Sequence, residues 1–152
     1  MCIRDSNKRA QKPFLAEHPG LESGLMIVQY VAGSSLSELH GMVHPRTAFS
    51  TSTSAGQEDH VSMGATSAYN LYTSIQRLAE ILACELMIAL DNLDLIDHKS
   101  SPIIEEVRKL ARLSYSIRTG DCSTSESIQA LANQILNGTW LSTVETLHGS
   151  LQ

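Results

Sequence analysis

Gln57-Glu58-Asp59-His60 places an amide, two carboxylates and an imidazole on consecutive positions. A carboxylate in such a cluster can accept a proton from carbon or hold an ammonium group, because both tasks need negative charge near a departing proton or a cation. The same residues have a purely structural reading. Ser54 and Gln57 show capping-box spacing, and Glu58 and Asp59 would then lie in a helix's first turn, where the macrodipole favours acids. Asp59 could orient the His60 imidazole, although a solvated pair satisfies both side chains equally well.

Other chemistry is poorly supported. His40 and His44 are four residues apart, but Gly41 and Pro45 interrupt the helix that would align them, and no third ligand follows, so no metal site is expected. The many serines include no GxSxG elbow, which argues against a serine hydrolase. Cys2, Cys84 and Cys122 are far apart and form no CxxC pair, which excludes a disulfide framework or zinc knuckle. Cys84 falls inside an apolar helical pattern and reads as a small core residue. The expected compartment is the reducing cytoplasm, and no signal-peptide apolar region opens the chain.

The elements that must position these groups are helical. Of 152 residues, 42% are hydrophobic, enough for a packed core, while only 5% are aromatic, a mix that suits helix-on-helix packing better than a β-sandwich. Eleven Lys+Arg against sixteen Asp+Glu give a net charge of -5 without a basic block, so a nucleic-acid surface is not expected. No apolar run reaches the roughly 18 residues of a membrane span.

A first helix is predicted from about Leu21 to His40, on apolar steps of three and four, with Gly24 and Gly33 marking close packing. His44 to Gly56 reads as a Ser/Thr-rich loop. A long central helix is predicted from Glu58 to Leu93 on the stripe Val61, Ala65, Ala68, Tyr72, Ile75, Ala79, Leu82, Leu86, Ala89 and Leu93. A second row, Leu71, Leu78, Ile81 and Ile88, makes it too apolar to stand alone. Further helices are predicted from Pro102 to Tyr115 and from Thr124 or Ser125 to Leu136, stopped by Asn137-Gly138, with 137–152 as a polar tail. The fold class expected is all-α.

At the start, Met1-Cys2-Ile3-Arg4-Asp5-Ser6 resembles the translation of a sequencing-library adapter, and residues 1–6 are set aside as such. The remainder then reads as the downstream part of a longer open reading frame, with its helical region over 7–136.

Gln57-Glu58-Asp59-His60-Val61-Ser62-Met63-Gly64 resembles the signature of bacterial histidine ammonia-lyases. Gly20-Leu21-Glu22-Ser23-Gly24-Leu25-Met26-Ile27-Val28-Gln29 resembles the helix that precedes it in the same family, and His44-Pro45, Ser100-Ser101-Pro102 and Tyr115-Ser116 are similar to further stretches. The likeness runs from about Pro13 to Leu136.

The resemblance implies an enzyme that eliminates ammonia from L-histidine to give urocanate, a homotetramer, and the electrophile methylidene-imidazolone (MIO), formed from an internal Ala-Ser-Gly. That tripeptide is absent here, so the chain alone is expected to be inactive. Carried over by position, Glu58 matches the acidic residue beside substrate and MIO, as proton-transfer group or ammonium anchor. Gln57 matches a polar neighbour of the site and Met26 a substrate-pocket position. Phenylalanine-using relatives carry an amide at the position of Glu58, so Glu58 points to the histidine branch. They carry Lys at the position of Met26, whose other reading is a core methionine on a helix. Gly56 departs from the family's usual Asn. Two other classes stay open: a lyase or aminomutase of the same superfamily using tyrosine or phenylalanine, and a non-catalytic helical interaction module.

Overall fold

The structure, a computed structural model, describes residues 12–150; the adapter-like residues 1–6 lie outside them. The described residues form five α-helices and no strand: α1 Met26–Gly41, α2 Gly64–Leu93, α3 Pro102–Arg112, α4 Ser125–Leu136 and α5 Thr139–His148. Short 3-10 turns occupy Pro13–Leu15, Arg46–Ala48 and Ser54–Gly56. The all-α class and the long central helix are as expected.

At 30 residues, α2 is about 45 Å long, and α1 and α4 pack along it. Its buried seam is Ala79, Ala83, Cys84, Met87 and Leu90, which meets Leu25 and Val28 ahead of and within α1 and Ile128, Leu131 and Ala132 of α4. This seam differs from the predicted stripe. Only Ala79 of that stripe is fully buried, whereas Tyr72 (63% exposed), Ile75 and Leu82 face outward beside Leu71 and Leu78. The helix is apolar on several faces, so periodicity alone could not say which face its nearest neighbours take.

Four boundaries also differ, among them the start of α2, at Gly64 rather than Glu58. α1 starts at Met26 rather than Leu21, because residues 12–25 fold into turns: Leu25 N–H donates to Phe14 O at 2.9 Å, and Gly24 has φ +56°. α3 ends at Arg112, and Tyr115 lies beyond it with its hydroxyl donating to Asp91 at 3.2 Å. The segment 137–152 holds the helix α5, which starts immediately after Gly138 in the left-handed conformation (φ +76°). The start of α3 is as expected, with Ser101 as N-cap and Pro102 in the first turn.

Leu131 is fully buried, so Leu131→Ala should lower the unfolding free energy of the 152-residue chain by about 2–5 kcal/mol. Leu71→Ala, on the outward face, should change it by less than about 0.5 kcal/mol. Urea denaturation of both variants checks this, and equal losses would show that the seam is misplaced. Burial pushes the Cys84 thiol up to about 11, so at pH 8 it is neutral as well as enclosed. Iodoacetamide under native conditions should label Cys122 and leave Cys84 unmodified until the chain is denatured, as read by peptide mass spectrometry.

Candidate active-site loop

Glu58 does not lie on a helix. The loop between α1 and α2 is pinned at two levels, which keeps residues 57–63 out of α2. At the outer level, Val61 N–H donates to Ser50 Oγ at 2.8 Å. At the inner level, Thr53 N–H donates to Glu58 O at 3.0 Å and Glu58 N–H to Thr53 O at 3.3 Å. The Thr53 hydroxyl also donates to Glu58 Oε2 at 2.9 Å, so backbone and side chain of Glu58 are held by one residue. The expected capping box does not form: Met63 is the N-cap of α2, without a side-chain cap. The helix-dipole explanation of Glu58 and Asp59 therefore fails.

Between the pins the chain turns through three consecutive left-handed residues, Ser54 (φ +54°), Ala55 (φ +57°) and Gly56 (φ +85°). Gly56 adopts this region freely, whereas each L side chain there costs about 1–3 kcal/mol. Gly56, the departure from the family's usual Asn, thus sits where glycine is the least strained choice. Residues 54–60 are exposed, so the loop presents Gln57, Glu58, Asp59 and His60 outward.

Met26 is the first residue of α1, half-buried. The structure does not gather Met26, Gln57 and Glu58 around one cavity. A groove of about 630 Å³ between α1, α2 and α4 is lined by the neighbours of Met26, including Ile27 and Val28, but by neither Gln57 nor Glu58. Within it, Ser35 Oγ donates to Glu80 at 2.9 Å, and Arg77 bridges Glu80 at 2.6 Å and Glu38 at 2.8 Å. His40 and His44 are exposed, and among the described residues no group of three His, Cys, Asp or Glu side chains converges as a metal set. No described helix is long and apolar enough to cross a membrane.

A polar cluster that the sequence reading missed lies at the C-terminal end of α2. Asp91 is 9% exposed and accepts from Arg112 Nη2 at 2.9 Å, Arg118 Nε at 2.9 Å and the Tyr115 hydroxyl. Asp94 accepts from Arg108 at 2.5 Å and also pairs with Arg112. The Arg112 guanidinium sits 4.3 Å from the Tyr115 ring centre. Burial, and then the Asp91 charge, push the Tyr115 phenol well above its usual range. The available signal was an acid four residues beyond Met87 on the buried seam, with Arg108 and Arg112 one turn apart on α3.

Comparisons with known proteins agree on one family. A family model described as "Aromatic amino acid lyase" matches residues 3–113. The chain is 41% identical over 121 residues to histidine ammonia-lyase of Geobacillus kaustophilus, covering 79% of this chain and 24% of that protein. It is 36% identical over 140 residues to histidine ammonia-lyase of Symbiobacterium thermophilum, covering 91% and 28%. Its structure superposes on the crystal structure of histidine ammonia-lyase from Trypanosoma cruzi with TM-score 0.87 and 32% identity, over 95% of this chain and 28% of that one. A tyrosine aminomutase from Streptomyces globisporus shares the fold, with TM-score 0.88 at 23% identity over 99% and 29%. The chain thus spans about a quarter of the length of the curated relatives it matches.

Asp91→Ala would leave Arg112 and Arg118 facing each other without their shared carboxylate. Loss of one partner from a buried pair costs about 3–5 kcal/mol, and Asp91→Ala should fall in that range. Tyr115→Phe, which removes one hydrogen bond and keeps the ring, should cost about 0.5–1.5 kcal/mol. Thermal unfolding of both variants tests the ranking.

Proposed function

Because the chain belongs to the aromatic amino acid lyase family, we propose that it is the C-terminal helical part of an ammonia-lyase that converts L-histidine to urocanate. The observation that carries this reading is the Glu58 carboxylate, held on a pinned and strained loop rather than in a helix, within the segment that resembles the histidine-lyase signature. The identity to relatives named histidine ammonia-lyase supports the same substrate. The aminomutase likeness supports the fold alone.

The chain has no Ala-Ser-Gly; the nearest tripeptide, Ser54-Ala55-Gly56, has the wrong order. Its residues therefore cannot form methylidene-imidazolone, which in this reading comes from elsewhere in a full-length cytoplasmic enzyme and supplies the electrophile for amine departure. What this chain contributes is the carboxylate. An exposed Glu58 carboxylate attracts the substrate ammonium, or accepts the proton lost as ammonia leaves. Gln57 offers an amide beside it, and Met26, which lies apart from both within this chain, supplies an apolar wall from α1 where the full-length enzyme completes the pocket. The homotetramer expectation is supported by the outward row Leu71, Tyr72, Ile75, Leu78 and Leu82 on α2, which one quarter of a lyase leaves uncovered.

In the full-length chain carrying this region, Glu58→Gln should reduce urocanate formation by about 100-fold or more. Its unfolding midpoint should barely move, since the glutamine oxygen can still accept from Thr53. Absorbance of urocanate and thermal unfolding on one preparation test both statements. Near-normal turnover would remove Glu58 from the chemistry, and the 152-residue chain alone should show no turnover.

A further inference from the structure

The lead-in to α1 is held by a residue from the far end of the chain. Ser23 N–H donates to Asp121 Oδ2 at 2.9 Å and Gly24 N–H to Asp121 Oδ1 at 2.8 Å, so one carboxylate closes both bonds across 98 and 97 residues. α1 has no side-chain cap and no acid in its first turn. Asp121 thus brings to that end the negative charge a helix N-terminus favours. The two N–H groups hold the Asp121 carboxyl below the ordinary carboxylate range.

Both sides of this clamp are themselves fixed. On the α1 side, a Cβ at Gly24 would lie 2.4 Å from Phe14 O, so the turn tolerates only glycine in this conformation. Leu25, the next residue, is 1% exposed in the core. On the other side, Arg118 ties the segment to Asp91 of α2, and Gly120 (φ +73°) turns the chain back toward Glu22. The short segment 118–121 is therefore bonded at one end to the buried Asp91 and at the other to the residue pair that precedes Leu25-Met26.

We propose that Asp121 is a positioning residue for the substrate pocket, whose carboxylate fixes the Ser23-Gly24 turn and thereby the placement of Met26 at the start of α1. The proposal rests on the lyase reading for the role of Met26. Asp121 touches no reacting group; it acts through the two backbone N–H groups.

Asp121→Asn keeps the size of the side chain but has one acceptor oxygen where the clamp uses two. In the full-length chain, hydrogen-exchange mass spectrometry should show peptides covering residues 22–26 exchanging about tenfold faster in the variant, while peptides covering 79–90 are unchanged. KM for histidine should rise fivefold or more with kcat within twofold of the parent. Equal acceleration in both peptides would make Asp121 a general stability residue, and unchanged exchange at 22–26 would show that the clamp does not hold; either overturns the proposal. Faster exchange at 22–26 with KM unchanged overturns the link to Met26. Failure of the parent itself to deaminate histidine counts against the lyase reading instead, and the exchange comparison then decides the clamp by itself.

Discussion

The structure depends on how closely other helices can approach α2. Ala79 and Ala83 line its buried seam, and Cys84 and Met87 fill the space beside them. Small residues at that level allow neighbouring backbones to come near, while an unbranched Met adapts to the gap between two different partners. α1 and α4 both pack on this helix, one from each side of the chain. Neither could bury its apolar face without it, so α2 acts as the common wall of two separate contacts.

The same helix organises the polar part of the molecule. Its seam ends in Asp91, where apolar packing gives way to an acid enclosed by two guanidinium groups and a phenol. An acid buried to this degree is tolerable only if its charge is met and its oxygens are satisfied. Those partners come from α3 and from the segment that follows it, and that segment has no regular structure of its own. Ion pairing thus fixes a stretch of chain that packing cannot, and through Asp121 the order reaches back to the turn before α1.

Much of this was legible in the sequence, and the failures share a cause. The end of α2 at Leu93, the start of α3 at Ser101-Pro102 and the limits of α4 follow from local signals: periodicity, a capping serine, a first-turn proline and Asn137-Gly138. The starts of α1 and α2 were misplaced because they are set by hydrogen bonds between distant or looping residues, Asp121 with Gly24 and Ser50 with Val61. Helix α5 has apolar residues at helical steps, Trp140, Leu141, Val144 and Leu147, but the Asn137-Gly138 stop signal hides it by marking the end of α4 without showing that a new helix begins one residue later. The buried seam of α2 could not be chosen from sequence, since Leu71, Leu78 and Met87 are equally apolar and only the arrangement of neighbours separates them. For the candidate site, the segment around Glu58 stands out only by its resemblance to a family signature. Its backbone setting and the Asp91 cluster were not.

That setting changes what the carboxylate can be. In the first turn of a helix, Glu58 would be accounted for by the macrodipole. In a loop it has no such role, and the loop is not a conformation the chain adopts at no cost. Two non-glycine residues, Ser54 and Ala55, are held in the left-handed region, each at about 1–3 kcal/mol by the usual scale for such positions. Strain of this kind persists only where surrounding contacts over-determine it, and here the Ser50–Val61 and Thr53–Glu58 pairs do so. A loop that served only to connect α1 to α2 could relax by releasing either pair. Keeping both fixes the direction in which one carboxylate is presented.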